Sequence, residues 1–151
     1  MFPCEVKEFE TRPTLSIRFR SPVQDLSQHF GRVYGSIIQY LGELGEQPVG
    51  AAFGAYYNMD MQNLDVELGF PVSKELPGKE GIKASHIPGG KFAVVLHTGP
   101  YDKVGPAYEA LTKWIAENGY EPTGVVYEFY LNDPMQTKPE DLKTQVMFPL
   151  K

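Results

Sequence analysis

One carboxylate, Glu128, interrupts a run of apolar residues that extends from Val125 to Tyr130. The β-branched and aromatic residues of this run favour a β-strand, and the Asn-Asp-Pro sequence at 132–134 supplies turn residues after it. Alternation along a strand places Glu128 on the same face as Val126 and Tyr130, so its neighbours are largely apolar. An ionised carboxylate in such surroundings is costly unless something pairs with it. We therefore expect Glu128 to have a protein partner, a raised pKa or a bound ligand.

The sequence leaves two explanations of Glu128 open. The acid either faces a ligand or forms a structural ion pair with Arg18 or Arg20, on a strand that can lie alongside. We favour the ligand because the neighbouring residues are apolar. A carboxyl group with a raised pKa also suits general acid or base chemistry, so Glu128 is the candidate catalytic residue if the protein is an enzyme.

Aromatic residues are candidates for the walls of such a site. An aromatic ring offers a cation both apolar contact and a π face, and each such contact is worth roughly 0.5–2 kcal/mol. Core packing explains the strand tyrosines equally well and is the commoner role of aromatic residues on helices. The candidate ligand-binding residues are Glu128, Tyr130, Tyr56, Tyr34, Tyr108 and Trp114. Flexible methionines in two predicted loops are candidates for a pocket rim: Met59, Met61 and Met135.

Motifs for metal, nucleotide or serine-nucleophile chemistry are missing from the sequence. Its three histidines, His29, His86 and His97, lack metal-ligand spacing, and Cys4 is the only cysteine. The glycine pair at 89–90 lacks the remaining residues of a phosphate-binding loop, and no serine lies in a G-x-S-x-G pattern. We therefore predict no metal site and no cofactor.

Size and charge describe an ordinary acidic protein of 151 residues, with a net charge of −5 and a pI near 5.2. That length is enough for one domain with a buried core. The sequence has no basic stripe for phosphate backbones, so direct nucleic-acid binding is not expected. It also has neither a secretion signal nor an apolar run long enough to cross a membrane, and we predict a cytoplasmic protein.

The elements that position Glu128 occur twice along the chain. The pattern predicts a strand over 14–20, a helix ending near Leu44, and strands over 50–57 and 64–70. After a polar connection, the order restarts with a strand over 92–98 and a helix ending before Gly119. A further short strand is predicted over 6–11. The unit is thus strand, helix, strand, strand, used twice, with repeats at about 5–72 and 80–151.

Residue identities support this duplication. A shift of 74 positions matches Tyr34 with Tyr108, Gly45 with Gly119, and Tyr56 with Tyr130; a shift of 78 matches Pro22 with Pro100, Leu64 with Leu142, and Phe70 with Phe148. The copies differ where Glu128 is matched by Gly54, so one copy lacks the acid and leaves space opposite it. Because one copy alone has too little sheet to bury its apolar faces, we expect the two copies to share a core.

These patterns predict an α+β fold of one domain over residues 1–151. It consists of tandem duplicated βαββ units, an antiparallel sheet, two main helices and a central ligand cleft between the repeats.

Several short motifs, in order, resemble the GyrI-like family, also called the AraC-type effector-binding domain. They are Gly99-Pro100-Tyr101-Asp102-Lys103, Ala107-Tyr108-Glu109-Ala110-Leu111, Trp114 to Tyr120, Tyr127 to Pro134, and Pro139-Glu140-Asp141-Leu142. The resemblance implies a duplicated βαββ fold and a cleft for hydrophobic, often cationic or drug-like molecules. It also implies that the glutamate at position 128 meets the positive charge of the ligand.

Relatives of this family differ in role, and the sequence leaves three roles open. The expected role is small-molecule binding, by a stand-alone member without the helix-turn-helix segment of many relatives. The second is hydrolysis of strained cyclopropane-type toxins by the same glutamate. The third is inhibition of DNA gyrase, so the expected partners are a small molecule and a protein such as gyrase or a separate regulator. The oligomeric state is left open.

Overall fold

The structure, a computed structural model, describes residues 3–58, 60–133 and 136–151. These residues form eight β-strands and two α-helices, and the chain divides into two compact units. We call Thr11–Pro88 the N-terminal unit, and we call Gly89–Lys151 together with the first strand the C-terminal unit. Neither helix of the described residues has the length and apolar character needed to cross a membrane.

The elements follow in chain order. The strands are β1 (Cys4–Phe9), β2 (Arg12–Ser21), β3 (Ala52–Tyr56), β4 (Leu64–Pro71), β5 (Lys83–Ile87), β6 (Gly90–Thr98), β7 (Val126–Tyr130) and β8 (Lys143–Pro149). The helices are α1 (Leu26–Leu44) and α2 (Gly105–Glu117), with short 3₁₀ turns at Val23–Asp25, Tyr101–Lys103 and Pro139–Asp141.

In the N-terminal unit, α1 packs on a four-stranded antiparallel sheet in the order β3-β4-β2-β5. The apolar stripe of α1 buries Val33, Ile37 and Leu41 against Val66 and Leu68 of β4. This burial holds the helix in place, because helices of this length gain most of their stability from packing. The helix ends at Gly45, whose φ of 71° lies in the left-handed region that glycine adopts easily.

The face of this sheet that points away from α1 is also buried. Phe53, Ala55 and Glu67 lie on that face and are almost inaccessible to solvent. The close approach of β2 and β4 explains why a glycine occupies position 69 on this face. A Cβ atom at this position would lie 2.3 Å from the carbonyl oxygen of Leu15.

The C-terminal unit repeats this arrangement with the strand order β1-β6-β8-β7, again antiparallel. Its helix α2 begins with Pro106 in the first turn and buries Ala107, Leu111 and Ile115. Gly119, with a φ of 75°, follows this helix as Gly45 follows α1.

The structure confirms the predicted α+β fold, the antiparallel pairing and the two main helices. It adds a strand, β5, that the sequence analysis did not predict. The predicted strand near 6–11 is present as β1, and it pairs with β6 of the C-terminal unit. The converse holds for β5, which lies within the predicted second repeat in sequence but pairs with β2 of the N-terminal unit. The cleft between the repeats and the single-domain organisation stay predictions.

Candidate functional site

Glu128 lies on β7 and faces α2, where two tyrosine hydroxyls donate hydrogen bonds to its carboxylate. Tyr108 of α2 donates to Oε2 in a short contact, and Tyr130 donates to Oε1 at 3.0 Å. Tyr130 reaches the acid because residues two apart on a strand share a face. Both oxygens of the carboxylate therefore have neutral partners, and no lysine or arginine of the described residues forms an ion pair with it.

Burial governs the electrostatics of this acid. Desolvation raises the pKa of Glu128 above its usual range, although the bonds from Tyr108 and Tyr130 and the charge of His97 act in the opposite direction. The net result is that Glu128 holds a proton more readily than an exposed glutamate. A positive charge brought close to it would reverse this effect by favouring the carboxylate.

Two polar side chains on neighbouring strands lie on the same face as Glu128. Thr144 of β8 is directly opposite both Tyr130 of β7 and His97 of β6. His97 is buried, and its Nε2 atom lies 2.9 Å from the carbonyl oxygen of Pro100, so Nε2 is the donor of that bond. The sequence analysis had no means of placing His97 on the face of Glu128.

Aromatic rings surround the two tyrosines that hold Glu128. The ring of Tyr108 contacts Phe148 of β8 at 5.7 Å between centroids, and that of Tyr130 contacts Tyr101 at 5.3 Å. Burial, followed by the charges of Asp133 and Glu128, raises the pKa of the Tyr101 hydroxyl. Tyr101 and Phe148 were not among the predicted site residues, although Tyr101 lies in the first of the motifs that mark the family resemblance.

The other predicted ligand-binding residues are Tyr34 and Tyr56 of the N-terminal unit and Trp114 of α2. Tyr34 and Tyr56 belong to the N-terminal unit, where both pack against its hydrophobic core. Tyr34 also donates a hydrogen bond to the carbonyl oxygen of Phe53 at 2.7 Å. Trp114 lies about 120° around α2 from Tyr108, by the geometry of an α-helix, and stacks on Tyr120 at 6.2 Å. A ligand-binding role for these three residues stays a prediction.

The predicted methionine rim is only partly described. Met59 and Met135 lie outside the described residues, and Met61 is exposed.

Arg18 and Arg20, the alternative partners suggested for Glu128, pair instead with Asp65. Arg18 makes a two-pronged contact with Asp65 at 2.9 and 2.7 Å, while Arg20 lies 3.8 Å away. The hydrogen bond from Arg18 holds the pKa of Asp65 below its usual range. The guanidinium of Arg18 also lies over the ring of Tyr57, 3.9 Å from its centroid.

A second buried carboxylate, Glu67 on β4, was not predicted. It is 7% exposed, and it accepts hydrogen bonds from Ser16, at 2.5 Å, and from the hydroxyl of Tyr57. Glu67 points away from α1, on the face of the N-terminal sheet opposite to the one that corresponds to Glu128. The alternating sequence of β4 gave no sign that this acid is buried, because polar residues at every second position are typical of a strand with one face in solvent.

The arrangement at Glu128 combines a protonatable carboxyl, two phenol hydroxyls and aromatic walls. Such a set can attract an organic cation through charge and ring contacts. It can also hold and transfer a proton, since burial has moved the carboxyl pKa upward.

Comparison with known proteins gives one family match. A sequence model of the GyrI-like small molecule binding domain matches residues 2–151. No curated protein matches the sequence.

Solved structures with the same fold include a protein–DNA complex. The cryo-EM structure of an EcmrR–DNA complex has a TM-score of 0.87 and 25% identity over 99% of this chain, which spans 57% of that chain. The crystal structure of the EcmrR C-terminal domain has a TM-score of 0.82 and 22% identity, covering 100% of this chain and 98% of that one. A structure of SAV2435 bound to tetraphenylphosphonium has a TM-score of 0.65 and 12% identity, covering 99% of this chain and 94% of that one.

Proposed function

Because the chain belongs to the GyrI-like family of small-molecule-binding domains, we propose that it binds a hydrophobic organic cation with Glu128 as the anionic contact. The main support is that no lysine or arginine of the described residues forms an ion pair with Glu128. Both of its carboxylate oxygens accept bonds from neutral hydroxyls only. A buried acid in that state gains from any cation that fits against it.

The aromatic surroundings define the kind of cation. Tyr101, Tyr108, Tyr130 and Phe148 offer ring faces and edges around the acid. Such surroundings favour a cation with delocalised or alkylated charge, since that kind sheds water easily and fits against aromatic rings. A strongly hydrated ion such as ammonium or sodium is disfavoured.

Tetraphenylphosphonium is a suitable probe because SAV2435, which has the same fold, was solved with it. Its matched control is tetraphenylborate, an anion of nearly the same size and shape. Calorimetric titration should detect binding of the cation and much weaker binding of the anion. Glu128→Gln should lower the affinity for the cation about 10- to 100-fold, because one partner of a buried charge pair is lost.

Glu67→Gln is the matched protein control. It neutralises the other buried carboxylate, on the opposite face of the N-terminal sheet, and should leave the cation affinity unchanged. Equal cation affinity in the wild type and in Glu128→Gln would refute the proposed anchor. Tight binding of tetraphenylborate would refute charge selection.

A second function, hydrolysis, is favoured by one observation: the raised pKa of Glu128 beside two phenol hydroxyls suits a proton donor. The substrate would be a strained electrophile, opened by water after protonation. Incubating cyclopropane-containing compounds with the protein separates the two functions. Product beyond one equivalent, lost in Glu128→Gln, would indicate an enzyme, whereas saturation without product would indicate a binder.

A further inference from the structure

We propose that Thr144 is a second contact of the ligand, so that the natural ligand carries a hydrogen-bonding group a few bonds from its positive charge. This inference rests on the proposed function, since it concerns the same site. It narrows the ligand class from any lipophilic cation to one with a hydroxyl, amide or carbonyl group.

The hydroxyl of Thr144 is buried and has no hydrogen-bond partner among the residues the structure describes. The residue is 1% exposed. Buried polar side chains nearly always have a partner, because leaving one unpaired has a cost in free energy. An unpaired hydroxyl on the face of Glu128 is therefore a group available to a ligand.

The strand register places this hydroxyl within reach of a molecule held by Glu128. Glu128 is opposite Val146, so Thr144 is its diagonal neighbour on the same face of the sheet. Diagonal neighbours have Cβ atoms about 7 Å apart. The polar groups directly beside Thr144 are engaged elsewhere, since Tyr130 donates to Glu128 and His97 donates to Pro100.

The N-terminal unit supplies an internal comparison. Its strands have the same register, so Val66, which lies opposite both Tyr56 and Phe19, is the equivalent of Thr144. Phe19 is in turn the equivalent of His97, as Gly54 is of Glu128.

Three positions on one face are thus apolar or empty in one unit and polar in the other. Val66 is fully buried in the hydrophobic core, so this fold has no structural need for a hydroxyl at that place. The three differences occur together, on the face that bears the candidate site, which indicates that they serve one ligand.

A double-mutant cycle between protein and ligand tests the inference. The ligands are benzyl(2-hydroxyethyl)dimethylammonium and benzyl(propyl)dimethylammonium, which have the same charge and differ by a hydroxyl in place of a methyl group. The proteins are the wild type and Thr144→Val, which introduces the residue that the N-terminal unit already has. We expect the preference for the hydroxyl cation, as a ratio of affinities, to fall about 3- to 10-fold in Thr144→Val.

Thr14→Val is the control protein. Thr14 is equally buried at 1% exposure and also has an unpaired hydroxyl, but it lies on β2 of the N-terminal unit. Its substitution should leave the ligand preference unchanged. Melting temperatures of both variants establish that they are folded, and both should equal or exceed the wild type because an unpaired hydroxyl is removed.

The outcomes separate the two proposals. If Thr144→Val changes the ligand preference no more than Thr14→Val does, while Glu128→Gln weakens both cations, the role of Thr144 is wrong and the proposed function stands. If Glu128→Gln leaves both affinities unchanged, the proposed function fails, and the role of Thr144 with it.

Discussion

The hydroxyl of Tyr108 on α2 donates a hydrogen bond to the carboxylate of Glu128 on β7. Helix and sheet of the C-terminal unit are therefore joined at a group that gains or loses a proton. Protonation of this one side chain is thus linked to folding and, under the proposed function, to ligand binding.

The first prediction concerns stability as a function of pH. The pKa of Glu128 is raised in the folded state above its ordinary value of 4.5. Between these two values the folded protein binds more protons than the unfolded chain, so the free energy of unfolding should decrease as pH rises through this window. Chemical denaturation at a series of pH values measures this slope. Glu128→Gln should lack this contribution, and identical slopes in both proteins would contradict the prediction.

The second prediction concerns ligand affinity as a function of pH. Under the proposed function a cation binds the ionised carboxylate, so affinity for tetraphenylphosphonium should rise with pH up to the raised pKa of Glu128 and then level off. Below that pKa the affinity can rise by at most about tenfold per pH unit. Glu128→Gln should lack this pH dependence. A profile of the same shape in both proteins would argue against Glu128 as the anchor.

The third prediction uses a pair of tyrosines that the duplication makes equivalent. The hydrogen bond from Tyr108 lowers the pKa of Glu128, so Tyr108→Phe should raise it further and move the affinity profile to higher pH. Tyr34→Phe removes a bond to the carbonyl oxygen of Phe53 instead. It should leave the profile in place, and NMR titration of the Glu128 carboxyl carbon would measure both cases directly.

The fourth prediction separates the two buried acids. Glu67→Gln replaces an acceptor of two hydroxyl bonds by an amide, which should cost about 1–3 kcal/mol of stability. The cation affinity should remain that of the wild type. Thermal melts and calorimetric titrations on the same sample measure the two quantities, and loss of binding in the folded variant would mean that Glu67 also contacts the ligand.

The fifth prediction compares two glycine-to-alanine substitutions. In Gly69→Ala the new methyl group meets the backbone of Leu15 and Ser16, so the free energy of unfolding should fall by about 1–3 kcal/mol. In Gly35→Ala the methyl group enters open space on α1 and should stabilise the protein by about 0.5–1 kcal/mol. Urea denaturation should show these opposite signs. A Gly69→Ala protein as stable as the wild type would mean that β2 and β4 can separate without cost.

Much of the fold and the central acid were predictable from sequence because their signals are local. The helical stripe on α1 and the glycine after it identify an element and its end within a short window. The apolar run around Glu128 marked that acid as one that requires a partner. Tyr108 and Tyr130 could be named as candidates because they are aromatic, and Tyr130 also because it shares a strand face with Glu128.

The remaining site residues depend on pairing between distant strands, which a single sequence does not encode locally. Thr144 lies beside Tyr130, and His97 beside Thr144, only through the register of β6, β8 and β7. The burial of Glu67 could not be predicted, because whether the sheet face that points away from the helix is covered depends on tertiary structure. The strand β5 was missed because its sequence, Lys-Ala-Ser-His-Ile, is too short and polar to stand out from a loop.

The pairing of β1 with β6 has a consequence for synthesis on the ribosome. The N-terminal unit is one continuous segment, so all of its strands are available as soon as β5 has emerged. The first strand made, in contrast, must wait for a partner that is translated much later, since Cys4 pairs with Val95. The half that holds Glu128 is therefore completed last, and a truncated chain ending at Pro88 would expose β1 as an unmatched edge open to aggregation.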